Sequence, residues 1–224
     1  MLDFASTEPR KRGEKRLALN NFFEYKNAEK YVLPLSHDEF VHGKDSLIGR
    51  MYGDYTQKFS TLMSFYVKQF TWPGKKLIFM GCDYAQFVEW NHDTQLEWFM
   101  LDFPMHKGVQ DFVARLNQLY RTRPELHELD DSADGFSWIS PGLTENAVLA
   151  YRRHDASGRH LAVVINFSDK AQNVTLSSEC DYTTLLDTSE PSSERSYIRT
   201  DEQIIADLPL LSAVILEPIQ GENI

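Results

Sequence analysis

The sequence predicts two unlike halves, an α/β half built on a parallel sheet followed by an all-β sandwich. Three observations predict it. Between residues 31 and 122, short apolar runs alternate with long segments of helical spacing, which is the pattern of βα units. From about Asp130 the helical spacing stops, and short alternating runs separated by turn residues take over, as in a sandwich of antiparallel strands. The composition, 42% hydrophobic and 25% charged over 224 residues, is globular, so a disordered or collagen-like chain is excluded and one or two domains are expected.

Each element follows from its residues. Tyr31-Val32-Leu33-Pro34-Leu35 is a short apolar run suited to a buried parallel strand. A polar stretch with Gly43, Gly49 and Gly53 follows, and then Tyr55 to Thr71 places Phe59, Leu62, Met63, Tyr66 and Phe70 on one helical face. Trp72-Pro73-Gly74 stops that helix, and Lys76 to Met80 reads as a second buried strand ended by Gly81. A polar, Trp-bearing loop runs from about Asp83 to Lys107. A second helix then carries Val109, Phe112, Val113, Leu116, Leu119 and Tyr120 on its apolar side. Beyond it, strands are expected at 135–139, 147–151, 160–167, 173–176, 182–186 and 212–217, divided by Pro141-Gly142, Ser157-Gly158, Ser168-Asp169 and Pro191-Ser192-Ser193. Two βα units are too few for an open parallel sheet covered on both faces, so the first half reads as part of a larger barrel or sheet. Residues 1 to about 20 contain no convincing strand.

Asp and Glu number 33 against 23 Lys and Arg, a net charge of −10 with an isoelectric point near 5.2. Nucleic acids and anionic membranes are poor partners for that balance, because both demand basic surface, whereas a neutral sugar suits it. No run approaches the length of a membrane helix or a signal-peptide core. Cys82 and Cys180 lie far apart and read as free thiols of a cytoplasmic chain. The triplets Asn166-Phe167-Ser168 and Asn173-Val174-Thr175 are chance matches to a glycosylation signal on that reading.

Two clusters carry candidate chemistry. Ser36-His37-Asp38-Glu39-Phe40-Val41-His42-Gly43-Lys44 directly follows the first strand, and loops at the C-terminal ends of barrel strands hold active sites. A solvated loop with ordinary ion pairs is the competing reading. Metal binding fits poorly: His37 and His42 are five apart, roughly 140° around a helix, rather than the four-residue spacing of zinc-protease helices. Phosphate-loop, dinucleotide and nucleophile-elbow motifs are missing from the sequence. The second cluster, Gly81 to Gln86 with Glu89-Trp90-Asn91-His92-Asp93 and Leu96-Glu97-Trp98, follows the second strand and is expected to open on the same face. Carboxylates beside Trp and Tyr suit a sugar, whose hydroxyls they accept and whose apolar face they cover. The alternative is that Trp90 and Trp98 merely pack beneath a long loop.

At these residues the chain resembles the glycogen (1,4-α-glucan) branching enzymes of the α-amylase superfamily. The stretches that carry the likeness are Val32 to Glu39, Val41 to Lys44, Phe70 to Leu77, Phe79-Met80-Gly81, Glu89 to Asp93 and His127 to Asp130. The likeness runs from about Leu17 and is strongest from Tyr31 to Asp130. It implies the last two βα units of a (β/α)8 TIM barrel over residues 21–128, a C-terminal antiparallel β-sandwich over 129–224, and an atypical N-terminal segment over 1–20. It implies an α-1,4-glucan substrate, transglycosylation that forms α-1,6 branches, and no cofactor or metal. By similarity Asp38 is the third catalytic carboxylate and His37 its hydroxyl-binding neighbour, with Glu39, His42, Asp83 and Trp90 expected to bind sugar. Cys82-Asp83 departs from the Asn-Glu of the family, and the shorter acid puts that sugar contact in doubt. The nucleophile and acid/base motifs of the earlier strands are not found in the sequence, so a truncated chain, inactive alone, is expected; a non-catalytic glucan-binding remnant is the alternative.

Overall fold

A computed structural model describes residues 1–19, 30, 32–192 and 194–219. Two layers meet along one helix. β1 (Val32–Leu35) and β2 (Lys75–Ile78) form a parallel pair in the register Val32 to Lys75 through Leu35 to Ile78. The α-helix between them, α2 (Tyr55–Thr71), follows a short N-terminal α1 (Leu2–Ala5). A capping box starts α2: the Gln57 N–H donates to the Asp54 carboxylate at 2.9 Å, and the Asp54 N–H donates to the Gln57 side chain at 3.1 Å. α3 (Pro104–Thr122) begins with proline at its first turn, where the missing N–H costs nothing. The start of the first strand reading, Tyr31, and residues 20–29 lie outside the described residues.

The second half contains β3 (Phe136–Leu143), β4 (Val148–His154), β5 (His160–Asn166), β6 (Gln172–Ser177), β7 (Tyr182–Asp187), β8 (Ser196–Tyr197), β9 (Gln203–Leu208) and β10 (Ser212–Pro218). Six strands pair in the order β3-β4-β5-β10-β7-β8, and β6 pairs with β9. All these pairings are antiparallel. The two sheets close over Val148, Ala150, Ala162, Val164 and Val214 from the large sheet and Val174, Leu176, Ile204, Ala206 and Leu208 from the small one.

The opposite face of the large sheet is also buried. Leu149, Tyr151, Val163, Ile165 and Ile215 share a core with Phe59, Leu62, Phe65 and Phe70 of α2. This explains why β4 and β5 are apolar runs rather than alternations: a strand covered on both faces has no polar side. It also explains α2, which was expected to show one apolar face but is buried along most of its last two and a half turns. Ser64 donates to the Leu211 carbonyl at 2.9 Å on the sandwich side, and the Gln69 amide donates to the Leu33 and Leu77 carbonyls at 3.2 and 3.1 Å on the strand side.

A buried ion pair locks the halves together. Arg153 of β4 donates to the Thr71 carbonyl at 2.6 Å, the Gly135 carbonyl at 2.9 Å and the Asp130 carboxylate at 2.8 Å. The other Asp130 oxygen accepts from Lys75 at 3.2 Å and from Tyr120 at 3.3 Å.

Three expectations are corrected. β1 and β2 are not buried strands: Val32 is 52% exposed and the β2 residues alternate exposed and half-buried, because among the described residues only the α2 side of the pair is covered. The second strand runs Lys75–Ile78 rather than 76–80. Strand β9, absent from the sequence reading, follows the alternation Ile204, Ala206, Leu208 buried and Gln203, Ile205, Asp207 exposed. The N-terminal segment, though without strand, is docked rather than loose. Phe4 and Arg12 are buried, and Arg12 donates to the Ala5, Thr7 and Phe167 carbonyls. A Cβ at Gly13 would lie 2.1 Å from the Glu145 carbonyl oxygen, so only glycine permits that approach to the β3–β4 turn.

Candidate active site

The sequence places His37, Asp38 and Glu39 where β1 ends. Ser36 is extended, and His37–Glu39 close a 3-10 turn in which the Glu39 and Phe40 N–H groups donate back to the Ser36 and His37 carbonyls. The turn presents Asp38 outward, its side chain 74% exposed, with a carboxylate oxygen 3.1 Å from His37 Nε2. Glu39 turns aside: its carboxylate accepts from Arg50 at 3.1 Å, and the same guanidinium nitrogen donates to the Glu39 carbonyl.

The second loop lies against the first. The Trp90 N–H donates to the Phe40 carbonyl at 3.1 Å. The His37 ring sits between Phe79 and Trp90, at centroid distances of 5.6 and 5.7 Å, and Phe79 meets Trp90 edge-on at 5.2 Å. The result is an open hollow of ≈ 620 Å³ lined by His37, Val41, His42, Val88, Glu89, Trp90, Asn91 and His92. The lining combines the Trp90 indole and three imidazoles with the Glu89 carboxylate and the Asn91 amide. The Glu89 carboxylate accepts from the Gly43 N–H at 3.0 Å and the Asp45 N–H at 2.6 Å, and these bonds hold its carboxyl below the ordinary value.

His37, His42 and Trp90 thus come together, with Asp38 and Glu39 beside them. Asp83 does not join them. Gly81 turns the chain with φ +82, and Asp83 lines another hollow of ≈ 420 Å³ between Phe70, Val113 and Asn117 of the helices and Lys76, Ile78 and Phe79 of β2 and its end. Burial there raises its carboxyl above the usual range. The expectation that both clusters open together holds for Glu89 to His92 and fails for Asp83, because the left-handed turn aims that side chain at α3. Trp98 lies against Tyr84, ring centroids 5.5 Å apart and tilted by 30°, and is away from the hollow. The sequence reading assigned no role to Glu89 or Asn91, although both stand in the Glu89-Trp90-Asn91-His92-Asp93 run that it singled out. Among the described residues no group of three metal-binding side chains is assembled, and no helix is long and apolar enough to cross a membrane.

The comparisons with known proteins agree with this architecture. Residues 138–219 match the alpha amylase C-terminal all-beta domain. The fold is similar to that of an Anoxybacillus alpha-amylase, with TM-score 0.62 at 16% identity over 98% of this chain and 45% of that one. It is also similar to the catalytic module of the glycogen-degrading pneumococcal virulence factor SpuA, with TM-score 0.69 at 14% identity over 91% and 39%. The fold is therefore of the kind these structures share, and its second half matches an alpha amylase all-β C-terminal domain with antiparallel sheets.

In sequence the chain is similar to 1,4-alpha-glucan branching enzymes. The chain is 45% identical over 167 residues to the branching enzyme GlgB of Pseudomonas fluorescens, 75% of this chain and 22% of that one. It is 48% identical over 145 residues to that of Aquifex aeolicus, 64% and 23%, and 50% identical over 145 residues to that of Roseobacter denitrificans, 64% and 20%. The resemblance read from the sequence is borne out. The chain spans about a fifth of the length of the curated relatives it matches.

Proposed function

We propose that this chain supplies the glucan-contacting end of a branching-enzyme active site together with its C-terminal sandwich. On this reading β1 and β2 are the last two strands of a (β/α)8 barrel within residues 21–128, residues 129–224 are the sandwich, and residues 1–20 are an added segment. The substrate is an α-1,4-glucan such as glycogen, and the setting is cytoplasmic. The observation that carries the reading is the hollow itself. The turn that bears Asp38 leaves the C-terminal end of a parallel strand, and its His37 lines the hollow together with Trp90.

The proposed roles extend the resemblance, and the geometry is compatible with them. Asp38, exposed and flanked by His37 at 3.1 Å, accepts hydroxyl hydrogen bonds from the donor sugar and favours a ring distorted toward an oxocarbenium-like transition state. His37 shares those hydroxyls and stabilises the developing charge distribution. Trp90 covers the apolar face of the ring, His42 contributes a polar edge, and Glu39 acts through Arg50 rather than on sugar. Asp83, from its separate hollow, has no place in this contact set.

Binding without catalysis is the reading favoured for the chain by itself. Retaining chemistry needs two further carboxyl groups about 5–5.5 Å apart. The one carboxylate lining the hollow among the described residues, Glu89, is already committed to two backbone N–H groups. Loss of a whole catalytic set removes on the order of 10⁶ in rate. The test is calorimetric titration of the chain with maltoheptaose, alongside the iodine spectrum of amylose incubated with it. Binding with an unchanged spectrum is expected. A spectral change shows catalysis by the chain and refutes the binding-only reading, and the absence of binding refutes the site.

A further inference from the structure

The loop that rims the hollow is held in a costly backbone conformation. His42 (φ 60), Gly43 (φ 80) and Asp45 (φ 71) all take left-handed angles, which L residues with a Cβ rarely adopt. Such a conformation persists only where surrounding bonds determine it. Here the bonds come from one side chain on the other loop. The two oxygens of Glu89 divide between the Gly43 N–H at 3.0 Å and the Asp45 N–H at 2.6 Å, so one carboxylate closes a concave row of backbone donors. The N–H between them, that of Lys44, is taken by the Val41 carbonyl at 3.3 Å.

The consequence reaches the proposed catalytic turn. Lys44 sits between the two clasped residues, and its ammonium donates to the Asp38 carbonyl at 2.6 Å. The neighbouring Trp90 N–H holds the Phe40 carbonyl on the other flank of Asp38. The far end of the loop is anchored as well, since the Asp45 carboxylate packs so closely on Gly49 that a Cβ there would lie 2.0 Å from it. A continuous set of bonds therefore runs from Glu89 through residues 43–45 to Asp38, and the same loop delivers His42 into the hollow beside Trp90.

We propose that Glu89 is a positioning residue: its carboxylate clasps the His42–Asp45 loop and through Lys44 sets the Asp38 turn for glucan. The inference rests on the glucan reading of the hollow for its functional half, and on the hydrogen bonds alone for its structural half.

Glu89→Gln separates a clasp from a space-filler. The side chains have the same size, but the amide has one acceptor, and its NH2 meets the second backbone N–H donor to donor. The experiment measures amide hydrogen exchange by NMR and maltoheptaose affinity by calorimetry in the wild type, Glu89→Gln and Glu89→Ala. In both variants exchange at Gly43 or Asp45 is expected to rise roughly tenfold or more while α2 amides keep their rates, and affinity is expected to fall by a similar factor. Unchanged exchange at both amides in Glu89→Gln overturns the clasp. Faster exchange with undiminished affinity overturns the positioning role. If the wild type binds no maltoheptaose, the glucan reading fails and the exchange rates alone decide the clasp.

Discussion

Asp130→Ala tests whether the two halves share one core. The substitution leaves Arg153, fully buried, with its charge uncompensated, although its bonds to the Thr71 and Gly135 carbonyls remain. Removing one partner of a buried pair costs roughly 3–5 kcal/mol. The Tyr120 hydroxyl loses an acceptor, worth about 1 kcal/mol. The Lys75 ammonium is 57% exposed, so its share is screened to well under about 1 kcal/mol. These contributions couple through one carboxylate, and about 4 kcal/mol is the expected whole, a large part of the 5–15 kcal/mol that a domain holds. Urea denaturation followed by tryptophan fluorescence and far-UV circular dichroism reads it. With a slope of about 2 kcal/mol per molar urea, the midpoint falls by about 2 M in both signals together. Replacing the pair by apolar residues, Asp130→Leu with Arg153→Met, is expected to recover most of that loss. A change below about 1 kcal/mol for Asp130→Ala, or separate transitions for the two signals in the wild type, refutes the shared core.

The remaining predictions concern two other buried groups. Lys68 is buried with its ammonium 3.6 Å from the Trp72 ring centroid, and desolvation lowers its pKa to about 7. The unfolded chain then binds the extra proton between about pH 7 and 10.5, so this group makes stability rise with pH across that window, by up to about 1.4 kcal/mol per pH unit, and stay flat below it. In Lys68→Met this share of the rise is lost, leaving that of Lys76, whose pKa burial also lowers, and the variant is more stable than wild type by roughly 2–4 kcal/mol at pH 6; a variant whose stability rises from pH 7 to 10 as steeply as that of the wild type contradicts this. Cys82 is buried and its thiol is pushed up to about 12 by burial, whereas Cys180 is half-buried. Titration with a thiol reagent at pH 8 should find Cys180 alone in the native chain and both in denaturant, and rapid native labelling of Cys82 rules out its packing.

Much of this fold is legible in the sequence wherever burial has one cause. The spacing of Phe59, Leu62, Tyr66 and Phe70 marks α2, and Trp72-Pro73-Gly74 ends it where the helix stops. The sandwich strands are readable from Phe136 to Asn166 because both faces of the large sheet are apolar. Strand β9 escapes because Gln203 to Leu208 alternates over only three buried side chains and follows two left-handed residues, Asp201 and Glu202. Exposure of β1 and β2 is illegible from residues 32–35 and 75–78, since covering a strand depends on neighbours it does not encode. In the site, the position of His37, Asp38 and Trp90 follows from their placement after apolar strands. Asp83 goes elsewhere because a glycine at φ +82 redirects it, and no spacing rule carries that angle. Glu89 stands in a singled-out motif, yet its partners are backbone N–H groups 44 and 46 residues away, which a list of side chains does not display.

Whether the His37–Trp90 hollow is where an α-glucan meets this chain is decided most directly by a chemical-shift map of the labelled protein titrated with maltoheptaose. The account predicts saturable shifts concentrated at His37, Asp38, Val41 to Gly43 and Trp90 to His92, and their loss in Trp90→Ala. Shifts confined instead to the polar hollow of the sandwich between Arg152 and Gln203, or no shifts at all, would contradict it.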